Sequence, residues 1–192
     1  MFNTNGIILK KNKINEKQIV FTVFSEDYGK VSVWIDEIKR SPIDIGSTLN
    51  LIINRKNGTN RSNNYKLKRG ILYTSLSYIG IENILNLLKF LNDTLPEGIE
   101  KDFLFKDYEK MLNYFCDINK NPVAIEIFKL KIIKKLGFYQ DPKVLGFSDN
   151  FIKIYNAIDL LDLEKIININ GIEKIQEELE DYNEQNLKLI LN

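Results

Sequence analysis

The chain has 192 residues, 44% of them apolar, with 27 Lys/Arg against 26 Asp/Glu and a formal charge of +1. Histidine is absent and cysteine occurs once, at Cys116, which excludes a disulfide framework, removes the commonest general base and practically excludes a zinc site. The neutral total conceals a split: residues 1–80 carry 13 Lys/Arg against 6 Asp/Glu, and residues 81–192 carry 14 against 20, as in a protein that meets a polyanion with its front half. No apolar leader follows Met1, and no apolar run approaches the roughly 20 residues that span a bilayer, so no membrane association and a cytoplasmic location are expected.

Five runs in the basic half have β character, rich in β-branched and aromatic residues and separated by turn chemistry: Gly6–Lys10, Gln18–Ser25, Val31–Asp36, Thr48–Asn54 and Tyr65–Ser75. The clearest pairing runs from Ile19 to Ile35 through the turn Glu26-Asp27-Tyr28-Gly29, where Gly29 supplies the positive φ. Five short basic strands with Trp34 on an otherwise polar face predict an OB-type barrel over residues 1–80, although an SH3-like barrel gives nearly the same pattern.

From Ile81 the apolar period changes to three and four, so residues 81–192 are expected to form an all-helical domain, and the class is α+β. Ile81, Ile84, Leu85, Leu88 and Leu91 make the first stripe; Leu104, Tyr108, Met111, Leu112 and Phe115 make the second. The third helix lies between Pro122 and Gly137 and is apolar over most of its circumference, as a central helix would be. Two more helices are expected from Ser148 to Leu161 and from Gly171 to Leu191, with a turn at Asp162–Asn168.

No catalytic constellation is present: there is no phosphate-binding glycine loop, no nucleophile paired with a histidine and no supported acid pair, so the chain reads as a non-enzyme without cofactor or metal. Glu173, Glu177 and Glu180 have the spacing of a solvated helix face, and Cys116 falls on an apolar stripe as a small core residue. The segment Arg55–Gly70 carries Arg55, Lys56, Arg61, Lys66, Lys68 and Arg69 with no acid. A pliable polar loop of this kind can follow a phosphate backbone without demanding a sequence, and Lys39 and Arg40 are candidates to join it. Trp34 either stacks on a base or packs against the helical domain. Lys131, Lys134 and Lys135 share a face of the third helix, either as plain solvated charge or as a binding rim.

Four stretches in order resemble the RecO family of bacterial recombination mediators: Gly6-Ile7-Ile8-Leu9-Lys10, the hairpin Ile19 to Val31, Leu95-Pro96-Glu97-Gly98, and the helix Phe128 to Leu136 ending in Gly137-Phe138. Many members continue with paired zinc-binding cysteines, where this chain has Asp141-Pro142-Lys143-Val144-Leu145-Gly146-Phe147-Ser148. It therefore resembles a compact, zinc-free member. The resemblance implies binding of single- and double-stranded DNA, annealing of complementary strands, and help in loading RecA, with RecR as partner. It further implies a pocket for the C-terminal tail of single-stranded DNA-binding protein, which on this sequence falls at Ile127, Phe128, Lys131, Lys134 and Lys135. The family's basic pair before Phe128 is replaced by Glu126 and Ile127. Two other readings of the residues stay open, a protein-interaction adaptor and an RNA-binding OB protein.

Overall fold

Backbone hydrogen bonding in the basic half closes on itself. The computed structural model describes residues 1–16, 18–35, 43–56, 58–69, 78–97, 105–110, 123–137 and 139–191. Strands β1 (Phe2–Lys13), β2 (Ile19–Ser25), β3 (Gly29–Ile35), β4 (Thr48–Lys56) and β5 (Thr59–Arg69) form a closed barrel in the order β1-β2-β3-β5-β4. Every junction is antiparallel except β3 with β5. This is the strand order of an OB barrel, and the SH3-like alternative is set aside.

The long β1 makes the closure possible. Its first half, Phe2–Ile7, pairs with β4, and Gly6–Lys13 pairs with β2. A register shift between Ile8 and Lys10 places an extra residue, Leu9, at the bend where the strand passes from one partner to the other. Gly6 sits where both ladders overlap, opposite Ser25 and Leu49, and a Cβ there would overlap Cγ1 of Val23. Only glycine lets the three strands approach so closely.

Ile8, Phe21, Val23, Val33, Leu49 and Leu51 are buried together inside the barrel. Each such side chain contributes about 1.5–3 kcal/mol relative to exposure. Ile7 and Phe24, Cα partners across β1 and β2, are also fully buried although they alternate with interior positions. Helices cover that outer face: α1 (Tyr78–Thr94) packs on β1, and Phe105 of α2, of which residues 105–110 are described, lies 5.9 Å from Phe24 between ring centroids. The buried apolar residues of α1, among those described, are Ile84, Leu87, Leu88, Phe90 and Leu91, whereas Leu85 is 42% exposed, so the expected stripe is rotated by part of a turn. Packing thus groups α1 and α2 with the barrel in a unit of residues Met1–Ile118, and Asn119–Asn192 forms a second unit. The expected boundary at residue 80 marked a change of periodicity, which is a different property from packing.

The second unit is built on α3 (Val123–Leu136), whose residues from Val123 to Phe128 are all buried. Gly137, at φ 80°, ends it by donating to the carbonyls of Ile133 and Lys134, the left-handed stop that glycine favours. α4 (Asp149–Ala157) starts at Ser148, whose Oγ accepts from the Phe151 N–H at 3.2 Å. Glu178 holds that cap in turn, accepting from the Ser148 N–H and hydroxyl, both at 2.8 Å. The segment expected as a turn after α4 contains a short helix, α5 (Leu163–Ile167), because Ile166 and Ile167 find burial there. A 3-10 turn, Ile172–Ile175, then leads into α6 (Gln176–Leu191), which packs on α3.

Candidate nucleic-acid interface

Within the basic segment, Arg55–Lys56 and Thr59–Arg69 are the arms of a hairpin and not a loop. Lys56 pairs with Thr59, and Gly58 turns the chain at φ 77°. Asn-Gly at 57–58 is a strong sequence signal for a two-residue hairpin turn. The Asn and Ser around Arg61 have low strand propensity, but the ladder offered by β4 overrides it.

Strand alternation decides where the cations go. Tyr65 and Leu67 pack against the barrel interior, so Lys66 and Lys68 project outward and are exposed. Lys66 lies opposite Asn50, which itself pairs with Asn5; Asn50 donates to Asn5 Oδ1 at 3.3 Å and Asn5 donates to Glu26 at 2.7 Å. Nearer the turn, exposed Arg61 stands opposite Asn54 on β4 and is the Cα partner of Trp34 on β3. Arg55 is exposed beside it on β4. Lys56 and Arg69 belong to β4 and β5, and Lys39 and Arg40 lie outside the described residues. The second helical stripe beyond Lys110, Cys116 and Phe138 lie outside them too.

Beside this hairpin the first unit opens a cleft of about 580 Å³, lined by Phe2, Tyr28, Lys30, Val31, Ser32, Trp34, Arg55, Gly58, Thr59, Asn60 and Glu97. Three aromatic side chains meet there from β1, the β2–β3 turn and β3. The Phe2 and Tyr28 ring centroids are 4.1 Å apart at 44°. Trp34 is half-buried in the wall. Lys30 is committed elsewhere: its Nζ donates at 2.8 Å to the Asn92 carbonyl in the last turn of α1, where helix carbonyls lack partners. Burial lowers its pKa, and the carboxylates of Glu97 and Asp93 partly oppose that shift. Glu97, from the Leu95-Pro96-Glu97 stretch, also bridges to Lys30 through the backbone.

Phe2 and Tyr28 escaped the sequence reading because cleft membership is set by the barrel's closure. Lys10 and Lys13, exposed on the outer half of β1, carried a signal in the basic run Lys10–Lys13, but that run extended beyond the expected strand end. Lys11 of the same run donates to the Ile43 carbonyl at 3.0 Å.

In the second unit Ile127 and Phe128 are 0% exposed. They fill its core, so an open apolar floor beside the lysines is not what α3 presents. Lys134 is held by Asp159 at 2.7 Å, by the Tyr155 carbonyl at 2.7 Å and over the Tyr155 ring at 4.0 Å. Lys131 is half-buried and Lys135 exposed. Glu126, at the changed position, is bound by Lys129 at 2.7 Å and by the Asn183 amide at 2.9 Å, which ties α3 to α6. Burial raises the pKa of the Tyr155 and Tyr182 hydroxyls, and Tyr182 donates to the Gln140 carbonyl at 2.6 Å.

The segment Asp141–Ser148 supports itself. The Asp141 carboxylate accepts from the Lys143 N–H at 2.9 Å, and Phe147 packs 4.8 Å from Phe151 and 5.4 Å from Tyr182. With neither His nor Cys in this segment its donors do not fit zinc, and among the described residues no group of three or more potential ligands is brought together.

Residues 1–69 match the family model described as "Recombination protein O N terminal". Over its barrel the chain is thus similar to the RecO family. A curated relative, the DNA repair protein RecO of Francisella tularensis subsp. novicida (strain U112), is 23% identical over 197 residues, covering 95% of this chain and 83% of that protein. Among the described residues no helix is long and apolar enough to cross a membrane.

Proposed function

We propose that this chain is a RecO-family protein, a non-catalytic recombination mediator of the cytoplasm that binds single- and double-stranded DNA through its barrel. It anneals complementary strands and helps load RecA onto strands coated by single-stranded DNA-binding protein, with RecR as partner. The observation that carries this reading is the set of exposed cations on the β4–β5 hairpin, Arg55, Arg61, Lys66 and Lys68, adjoining a cleft with aromatic walls. Cations on a strand attract phosphates through charge and counterion release whatever the sequence, and aromatic faces accept bases. Annealing of two complementary labelled oligonucleotides, followed by energy transfer, tests it: the protein accelerates annealing, and replacing the four cations by Ala removes the acceleration.

For the tail of single-stranded DNA-binding protein, the proposed rim is Lys131 and Lys135. Lys134 is engaged within its own unit, and an apolar tail residue reaches Ile127 or Phe128 only if neighbouring side chains move. Calorimetry with a tail peptide at low salt decides the point. Binding that is lost in Lys131→Glu/Lys135→Glu supports this site, and no heat from the unmodified protein removes it.

A further inference from the structure

Lys30 of β3, Arg55 of β4 and Glu97 all line the cleft of about 580 Å³, which gathers an amine, a guanidinium and a carboxylate around one recess. The Lys30 Nζ is held at 2.8 Å by the Asn92 carbonyl, and a carbonyl accepts that bond from a neutral amine as well as from an ammonium. The bond therefore positions the nitrogen without fixing its charge. Lys134 is the contrast, since it is paired with the Asp159 carboxylate at 2.7 Å. Burial disfavours the charged form of Lys30 more than Glu97 and Asp93 favour it, so its pKa lies below the ordinary lysine value and more of it is neutral near neutral pH. A neutral lysine amine is a nucleophile. Glu97 is bridged to Lys30 through the backbone, and its carboxylate acts on the Lys30 charge. It is placed to take the proton that an attacking amine sheds. Arg55 supplies the cation that a phosphoryl group in the cleft requires.

We propose that Lys30 is an acylation site whose donor is an acyl phosphate, with Arg55 holding the phosphoryl group and Glu97 receiving the amine proton. The Lys30 lone pair forms a C–N bond to the acyl carbon, and the bond from that carbon to the bridging oxygen breaks, its electron pair leaving on phosphate. The proton passes from nitrogen to Glu97 and on to the released phosphate. The products are an Nε-acyl-lysine and inorganic phosphate, with no redox change. The amide keeps one N–H for the Asn92 carbonyl but loses the positive charge, so acylation lowers the charge of the cleft beside the hairpin cations. The chemistry does not depend on strand binding.

Acetyl phosphate is added to the full chain near neutral pH, and acetylation of each lysine is followed over time by mass spectrometry of its peptides. Lys30 is expected to react at least about tenfold faster than exposed Lys68, and faster by the same margin than in a free peptide of residues 28–34, which has the amine without the cleft. Equal rates overturn the proposal, and this comparison needs no variant. Glu97→Gln removes a charge that raises the Lys30 pKa, so by charge alone the reaction would quicken, whereas loss of the proton acceptor slows it about tenfold or more. An unchanged or faster rate overturns the proposal. Arg55→Ala is expected to slow acetylation by acetyl phosphate about tenfold and to leave acetylation by uncharged N-acetoxysuccinimide as it was. Equal slowing with both donors, or none with either, overturns the phosphate site.

Discussion

Trp34 on β3 and Arg61 on β5 are Cα partners in a parallel pairing, and this is the register at which the barrel closes. The contact places a cation of the hairpin next to the tryptophan of the cleft, though the two are far apart in sequence and come from segments with different compositions. Below it, Lys66 and Lys68 continue along the outward face of β5. At about 3.3 Å per residue, the path from Arg61 to Lys68 is on the order of 20 Å, long enough to follow several nucleotides.

Barrel closure depends on Gly6. Gly6→Ala adds a methyl group that overlaps Val23 Cγ1 between two ladders, and overpacking of a fixed core costs about 1–3 kcal/mol. A loss of about 2 kcal/mol in urea unfolding is expected, with the loss concentrated in hydrogen exchange of β1, β2 and β4. An unchanged midpoint would mean that β1 can shift away from β2.

Lys30 gives the first unit a signed pH response. Its folded pKa lies below the ordinary 10.5, chiefly through burial, so the unfolded chain binds more protons in that range. Stability referred to Lys30 therefore rises with pH from the lowered folded value up to 10.5. Lys30→Met removes the donor to the Asn92 carbonyl and is expected to cost about 1 kcal/mol at neutral pH. The gap between wild type and variant should widen as pH increases towards 10.5, and urea titrations at neutral and alkaline pH check this. A gap that narrows would contradict it.

Much of the barrel was legible because alternation and turn residues are local: the Ile19–Ile35 register and the Gly29 turn are both as the sequence indicates. The end of α3 at Gly137 was legible for the same reason. The start of β5 at Thr59 was not, since Asn60, Ser62 and Asn64 adopt strand only because β4 supplies the ladder. On α3, lysine spacing showed which residues share a face but not that Lys134 is used by Asp159 and Tyr155, which lie on the segment around α4. Glu126 looked like the loss of a binding residue; its partner Asn183 lies 57 positions away, beyond the reach of any local pattern.

Lys134 and Lys135 should therefore differ sharply on substitution. Lys134, with its side chain 9% exposed, serves Asp159 and a carbonyl near the end of α4, so Lys134→Ala leaves these groups without their cation and should cost about 2 kcal/mol. Lys135→Ala, on an exposed position, should stay within about 0.5 kcal/mol. Thermal unfolding of the two variants side by side checks the contrast, and equal losses would contradict the placement of Lys134.

The central claim, that the hairpin cations of the barrel hold a phosphate backbone, is tested most directly by anisotropy of a labelled single strand titrated at several salt concentrations. If Arg55, Arg61, Lys66 and Lys68 each neutralise one phosphate, affinity falls about fiftyfold between roughly 50 and 200 mM salt, from a slope of about −0.7 per contact. Arg55→Ala/Arg61→Ala should weaken binding of all sequences alike and reduce the slope by about 1.4. Binding indifferent to salt, or a slope unchanged in the double variant, would contradict the account.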